Sequence, residues 1–273
     1  MIVDAHAHVW GRSWPARGRP WTAPHPVHAL LEVLDANRVD AAIQVTPSPE
    51  GWDNGYGLTA AAAHPERLSV FGRIDPHAPE PERRLREWIE RPGAAGVRLT
   101  FFGGTTAGPG GLRLLEPFWA ACERVGLPVA LFAPDDLADV VRVLERHPEL
   151  RVIVDHLGLG VYPGCRDPLA GLPLLPELAG FPAVTAKVSG LVEVSHEPFP
   201  FRDVHELLAA AVEAFGAERL MWGSNYPVVR HRCSYSESLG YLAACDFLDD
   251  GDREWLLHRT AAAVTFARPS PGS

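Results

Sequence analysis

The chain has 273 residues, of which 47% are hydrophobic, 22% charged and 9% aromatic, a globular composition that excludes fibrous and wholly disordered classes. Its 25 Lys+Arg against 34 Asp+Glu give a net charge of -9. That balance argues against nucleic acid as a partner, because phosphate neutralisation requires a clustered basic excess. No run of about 18 apolar residues is present, and MIVDAHAHVW at the start lacks a basic stretch followed by a long apolar one. The expectation is a soluble cytoplasmic protein with no membrane partner. Cys122, Cys165, Cys233 and Cys245 form no CxxC pair, so separate reduced thiols are expected rather than a zinc ribbon or redox dithiol.

In chain order, an apolar run at 2–10 is followed by a helix-like stretch at 27–38, a second run at 41–47 and a third at 68–76. A helix at 81–91 leads to a run at 95–102. Then come a helix at 114–126, a run at 127–135, a helix at 135–147 and a run at 151–158. Runs at 183–191 and 220–228 flank a helix at 204–216. The helices carry apolar residues at three- and four-residue spacing, and the runs are rich in Val, Ile and Leu bounded by turn residues. Eight strands alternating with helices predict an α/β fold with a parallel sheet closed into a (β/α)8 TIM barrel, one domain over 1–267, with a mobile tail at 268–273. The competing doubly wound sheet would carry a glycine-rich phosphate turn after its first strand. Here that position reads HAHVW. GGTTAGPGG at 103–111 lacks both the Walker lysine and GxGxxG spacing, and reads as a flexible loop.

In such a barrel, chemistry gathers at the C-terminal ends of the strands. On the first strand, period-two alternation puts Asp4, His6 and His8 on one face. Two imidazoles at that spacing can bind one divalent cation, or hold a carboxylate and a water. His156, ending the sixth strand after Asp155, adds a third imidazole. Arg98 on the fourth strand and Lys187 on the seventh can neutralise a substrate carboxylate, with Arg73 on the third and Gln44 on the second as further candidates. After the eighth strand, Asn225 can hydrogen-bond substrate but cannot act as a base, and Tyr226 is a substrate-contact candidate. The loop from Gly11 to Pro26 is expected to cover the site as a lid. Trp10, Trp14, Trp21, Trp52, Phe102, Tyr162, His196 and Tyr226 line an aromatic pocket, anchor loops or form an oligomer interface.

Together, DAHAH at 4–8, HPERLSVFGRIDP at 64–76, AGVRL at 95–99, VDHLG at 154–158, AKVSGL at 186–191 and MWGSNYP at 221–227 resemble the amidohydrolase superfamily, in its amidohydrolase-2 branch of TIM-barrel hydrolases and decarboxylases. The resemblance spans essentially the whole chain. In texture it is nearest to hydrolases of sugar lactones and dicarboxylate lactones. Two positions depart from the pattern. Metal-binding members add a histidine after the fifth strand and an aspartate after the eighth, where this chain has Ala133-Pro134 and Asn225. Metal-free lactonases of the branch also keep that aspartate to activate water. A divalent metal (Zn or Mn) would therefore rest on His6 and His8 with water or a loop carboxylate such as Glu193 or Asp135, and no organic cofactor is expected.

The resemblance implies hydrolysis of a small cyclic ester (lactone) or related carbonyl compound, carboxylated or otherwise, without a required metal. In that reading His6, His8 and Arg98 polarise the carbonyl, His156 shuttles the proton, and Asn225 places water or substrate. The alternatives are a non-oxidative decarboxylase, a lyase or cyclase acting on a small acid, and a metabolite-binding barrel that has lost catalysis. Homo-oligomerisation is left open.

Overall fold

The structure, a computed structural model, describes residues 1–15, 20–101, 111–162, 165 and 167–265. Eight strands, β1 Val3–Ala7, β2 Ala41–Val45, β3 Leu68–Gly72, β4 Ala94–Thr100, β5 Val129–Phe132, β6 Val152–Val154, β7 Val184–Val188 and β8 Leu220–Trp222, pair in sequence order, every neighbour parallel. The barrel closes where Ala7 bridges Tyr226: the His8 N–H donates to Tyr226 O (2.8 Å) and the Asn225 N–H to His6 O (2.8 Å). This is the single-domain (β/α)8 barrel expected from the alternation. The tail at 268–273 and most of the glycine-rich stretch at 103–111 lie outside the described residues.

Two apolar layers follow from strand alternation. Val3, Ala5, Ala41, Ile43, Val45, Phe71, Ala130, Ile153 and Met221 fill the barrel, small residues beside large ones, with Ala261 packed among them. The outward residues, such as Ala42, Val70, Val97 and Leu131, pack against the surrounding helices. Helix α1 is Val27–Ala36, α3 Pro81–Ile89, α4 Glu116–Val125, α5 Leu137–Arg146 and α8 His205–Phe215, close to the expected stretches. In α5, Leu137, Val140, Val141 and Leu144 form the buried stripe. Pro117 opens α4, and Gly126 at φ 68° closes it in the left-handed region.

Helices α2 Gly55–Ala63, α6 Leu175–Ala179, α7 Leu191–Val194, α9 Tyr235–Gly240, α10 Asp250–Glu254 and α11 Thr260–Thr265 complete the set among the described residues. The pattern did not mark α2, because GYGLTAAAA has almost no polar residues from which a face can be read. For α9 and α10 a signal was present. Ser234 with Glu237, and Asp249 with Asp252, each form a reciprocal capping box.

Candidate active site

The strand pattern alone misplaces Asp4. Val3 and Asp4 pair with Ala41 and Ala42, but Ala7 pairs with Gln44, so β1 spends one residue more than β2 between Asp4 and Ala7. The shift leaves Asp4 on the outer face while His6 and His8 turn into the mouth. There Asp4 is wholly buried and acts as a clasp. Its Oδ1 accepts from the N–H of His6 (3.0 Å) and of Ser224 (2.9 Å); its Oδ2 accepts from Ser224 Oγ (2.5 Å) and Tyr235 Oη (2.9 Å). Gly223, beside His6, must lack a side chain, since a Cβ there would lie 2.7 Å from His6 Cβ.

His6, His8 and His156 come together as the sequence implied. The His6 ring lies 4.9 Å from that of His8 and 4.6 Å from that of His156. His156 takes φ 56° and Asn225 φ 55°, left-handed conformations found more often at functional sites than elsewhere. His8 Nδ1 sits 2.7 Å from Val45 O, which can only accept, so Nδ1 carries hydrogen and the neutral ring keeps its lone pair on Nε2. That Nε2 faces Asn225 Oδ1 at 3.2 Å. His156 Nδ1 meets Ser189 Oγ at 2.8 Å. The Nε2 atoms of His6 and His156 are buried without a partner among the described residues. Burial lowers all three histidines: His8 to about 4 and His156 to about 3, with the cations Arg98 and Lys187 adding to the effect, and His6 well below its ordinary value with Lys187 beside it.

Asp155 is a part of the site that the sequence did not single out. It is fully buried. Arg98 Nε lies 3.0 Å from its Oδ2 and Lys187 Nζ 3.1 Å from its Oδ1, with His6 Nδ1 at 3.5 Å. Burial alone would raise its pKa, but Lys187 and Arg98 hold it ionised, well below the usual carboxylate range. Arg98 also lies over the Phe132 ring. On the other side of His8, the Asn225 Nδ2 donates to Glu193 Oε1 (2.8 Å), and Tyr162 Oη donates to Asn225 Oδ1 (3.4 Å). Burial pushes the Glu193 carboxyl up to about 7, against the hydrogen bond from Asn225, and the Tyr162 hydroxyl up to about 12.

Arg73 enters the mouth from the end of β3, donating to Gly51 O and Thr100 Oγ1. Gln44 and Tyr226 do not enter it. Gln44 points outward against α2, where a Cβ on Gly57 would meet its Oε1 at 2.4 Å. The Tyr226 ring packs edge-on against His25 and Tyr235 and lines a groove beside α1 and α9. Both miss for one reason: sitting at a strand end does not fix which face a side chain takes. Of the loop aromatics, Trp10 is buried against Trp21 and His25, and Trp21 reaches to 6.4 Å from the His8 ring. His196 is exposed, its N–H held by Asp203, and Phe102 lies outside the described residues.

The donor set does not suit a tightly held metal. Among the described residues no group of three or more His, Cys, Asp or Glu side chains is arranged to hold one. The carboxylate beside the His6 ring, Asp155, is taken by Arg98 and Lys187, and the two positions at which the resemblance implies further ligands hold Ala133 and Asn225.

The amidohydrolase-2 family model, described as "Amidohydrolase", matches residues 3–265. The chain is 29% identical to a 4-sulfomuconolactone hydrolase of Rhizobium radiobacter over 96% of this chain and 84% of that protein. It is 27% identical to an L-fucono-1,5-lactonase of Burkholderia multivorans over 99% of this chain and 97% of that protein. A crystal structure of an amidohydrolase from Burkholderia multivorans with bound HEPES superposes with a TM-score of 0.79 at 26% identity, over 98% of this chain and 100% of that one. A second crystal form of that amidohydrolase has zinc bound.

Proposed function

The chain belongs to the amidohydrolase family, and from that premise we propose that it hydrolyses a small lactone bearing an acidic group. The observation that carries this reading is the charge of the mouth. Arg73, Arg98 and Lys187 are buried there with Asp155, Glu193 and three imidazoles, three cations against two acids, an excess of positive charge in a chain of net -9. Such a cavity favours an anionic guest. Both relatives are named for lactones, and one of them, sulfomuconolactone, bears an acid.

The chemistry follows from the hydrogen positions. His8 Nε2 carries the lone pair that takes a proton from water as the water attacks the carbonyl, and it pairs with Asn225 Oδ1 only once protonated. Asn225 Oδ1, 3.2 Å away, accepts from the imidazolium that results, and the Glu193 carboxylate behind the same amide steadies its charge. His6 Nδ1 lies between the donor Lys187 Nζ (3.4 Å) and the acceptor Asp155 Oδ1 (3.5 Å); in the tautomer that accepts from Lys187, the ring carries its hydrogen on Nε2. That unpartnered N–H and the Arg98 guanidinium then stabilise the developing oxyanion. The proton that His8 took then passes to Nε2 of His156, whose ring is held by Ser189 at Nδ1, and from there to the leaving alkoxide, so that both rings end neutral. Burial makes His8 a weak base, and negative charge arriving with the substrate raises its pKa.

Proton release on mixing with a panel of γ- and δ-lactones, each paired with its neutral ester, tests the reading. Faster release from the acid-bearing members is expected. Silence across the panel contradicts it.

A further inference from the structure

Resting on the reading of the mouth as a lactonase site, we propose that Arg73, Trp52 and Thr100 form a subsite for a small carboxylate, a second acidic group that the substrate carries away from the reacting ester.

Arg73 follows Phe71 on the inward face at the end of β3, and its backbone is fixed from both sides. Asn54 Oδ1 accepts from the Arg73 N–H (2.7 Å), and Asn54 Nδ2 donates to Arg73 O (2.9 Å). The side chain is fixed as well. Nε donates to Gly51 O (2.8 Å), NH1 to Thr100 Oγ1 (2.9 Å), and the guanidinium lies 5.1 Å from the centre of the Trp52 ring. Every one of these partners is neutral. Arg73 is 5% exposed, and no carboxylate among the described residues pairs with it, whereas Arg98 and Lys187 both pair with Asp155. A desolvated guanidinium without a counter-ion is costly. Burial, with Arg98 nearby, lowers its pKa to about 10.

An oriented fork of this kind, with NH2 left over, suits a carboxylate, which takes two parallel N–H bonds. Thr100 and Arg98 are inward neighbours on β4, so the subsite lies about 6–7 Å further out along the strand than the Asp155 cluster. A substrate whose ester reaches the histidines must therefore extend its second acid toward Trp52, a residue 43% exposed at the rim.

The test uses glutarate, a non-reacting dicarboxylate, and butyrate, a monoacid of similar length, titrated calorimetrically into the wild-type protein and R73Q, R73K and W52A. Glutarate is expected to bind R73Q about ten-fold more weakly than wild type, with R73K between them because it keeps the charge without the fork, and butyrate is expected to change less. W52A, at an exposed position, guards against misfolding of R73Q and should weaken glutarate several-fold. Equal glutarate affinity in wild type, R73Q and W52A, or no binding to wild type, overturns the subsite. Binding does not depend on turnover, so a chain that opens no lactone but loses glutarate in R73Q sinks the lactonase reading and keeps the subsite. Where a lactone is turned over, R73Q should raise KM for the acid-bearing form about ten-fold more than for its neutral ester.

Discussion

At the residue scale, the account turns on which groups are charged inside the mouth. Glu193 offers a direct reading, because burial raises its carboxyl from 4.5 to about 7. A folded value above the unfolded one means that its contribution to stability is full below about pH 4.5 and is lost as the pH rises through about 7. Glu193→Gln removes that dependence. The stability of wild type relative to E193Q is therefore expected to fall by up to about 3 kcal/mol between pH 4.5 and 8, measured by urea unfolding across that range. Parallel pH profiles for the two proteins would show that Glu193 is not desolvated as described. The histidines act in the opposite window. Their folded values near 3 and 4 lie below that of a free imidazole, so their contribution is present above about pH 6.5 and lost on acidification.

Among the elements, β1 and the turn after β8 are held together by Asp4. Asp4→Ala strands the Ser224 N–H, the Ser224 hydroxyl and the Tyr235 hydroxyl in a buried place, and a loss on the order of 3 kcal/mol is expected, read as a lower urea midpoint with an unchanged slope. A change below about 0.5 kcal/mol would contradict the clasp. This element also shows how far the sequence could be read. Alternation found the strand and put two histidines at its functional end, but one inserted residue in β1 moved Asp4 to the other face, and nothing in DAHAH marks where such an insertion falls. Gln44 shows the same limit. Its strand was legible and its face was not, because AAIQV is apolar on both sides, as a strand covered by helices must be. Asp155 was visible beside His156, yet its role depends on Arg98 and Lys187 arriving from two other strands, a meeting that only the closed barrel creates.

For the whole molecule, the fold was legible because alternation of strand and helix is a global pattern that survives local misreadings. The family resemblance likewise rested on six ordered segments rather than one motif, and the match over residues 3–265 agrees with it. What gives this barrel its own character is the exchange at the mouth. Asn225 stands where the resemblance implies an aspartate, and the nearest carboxylate on that side, Glu193, comes from α7 and reaches His8 only through the Asn225 amide. Arg98 and Lys187 share Asp155, and Arg73 pairs with no carboxylate among the described residues, which leaves the cavity prepared for negative charge.

The central claim is that this mouth adds water to the carbonyl of an acid-bearing lactone. Ring opening in 18O-labelled water, followed by mass spectrometry of the product under single-turnover conditions, tests it most directly. The account predicts one 18O in the new carboxyl group, no loss of carbon dioxide, and a rate lowered about 10²–10⁴-fold in His156→Asn, a variant chosen because asparagine tolerates the left-handed backbone at that position. Consumption of the substrate without 18O in the product, or with release of carbon dioxide, would contradict it.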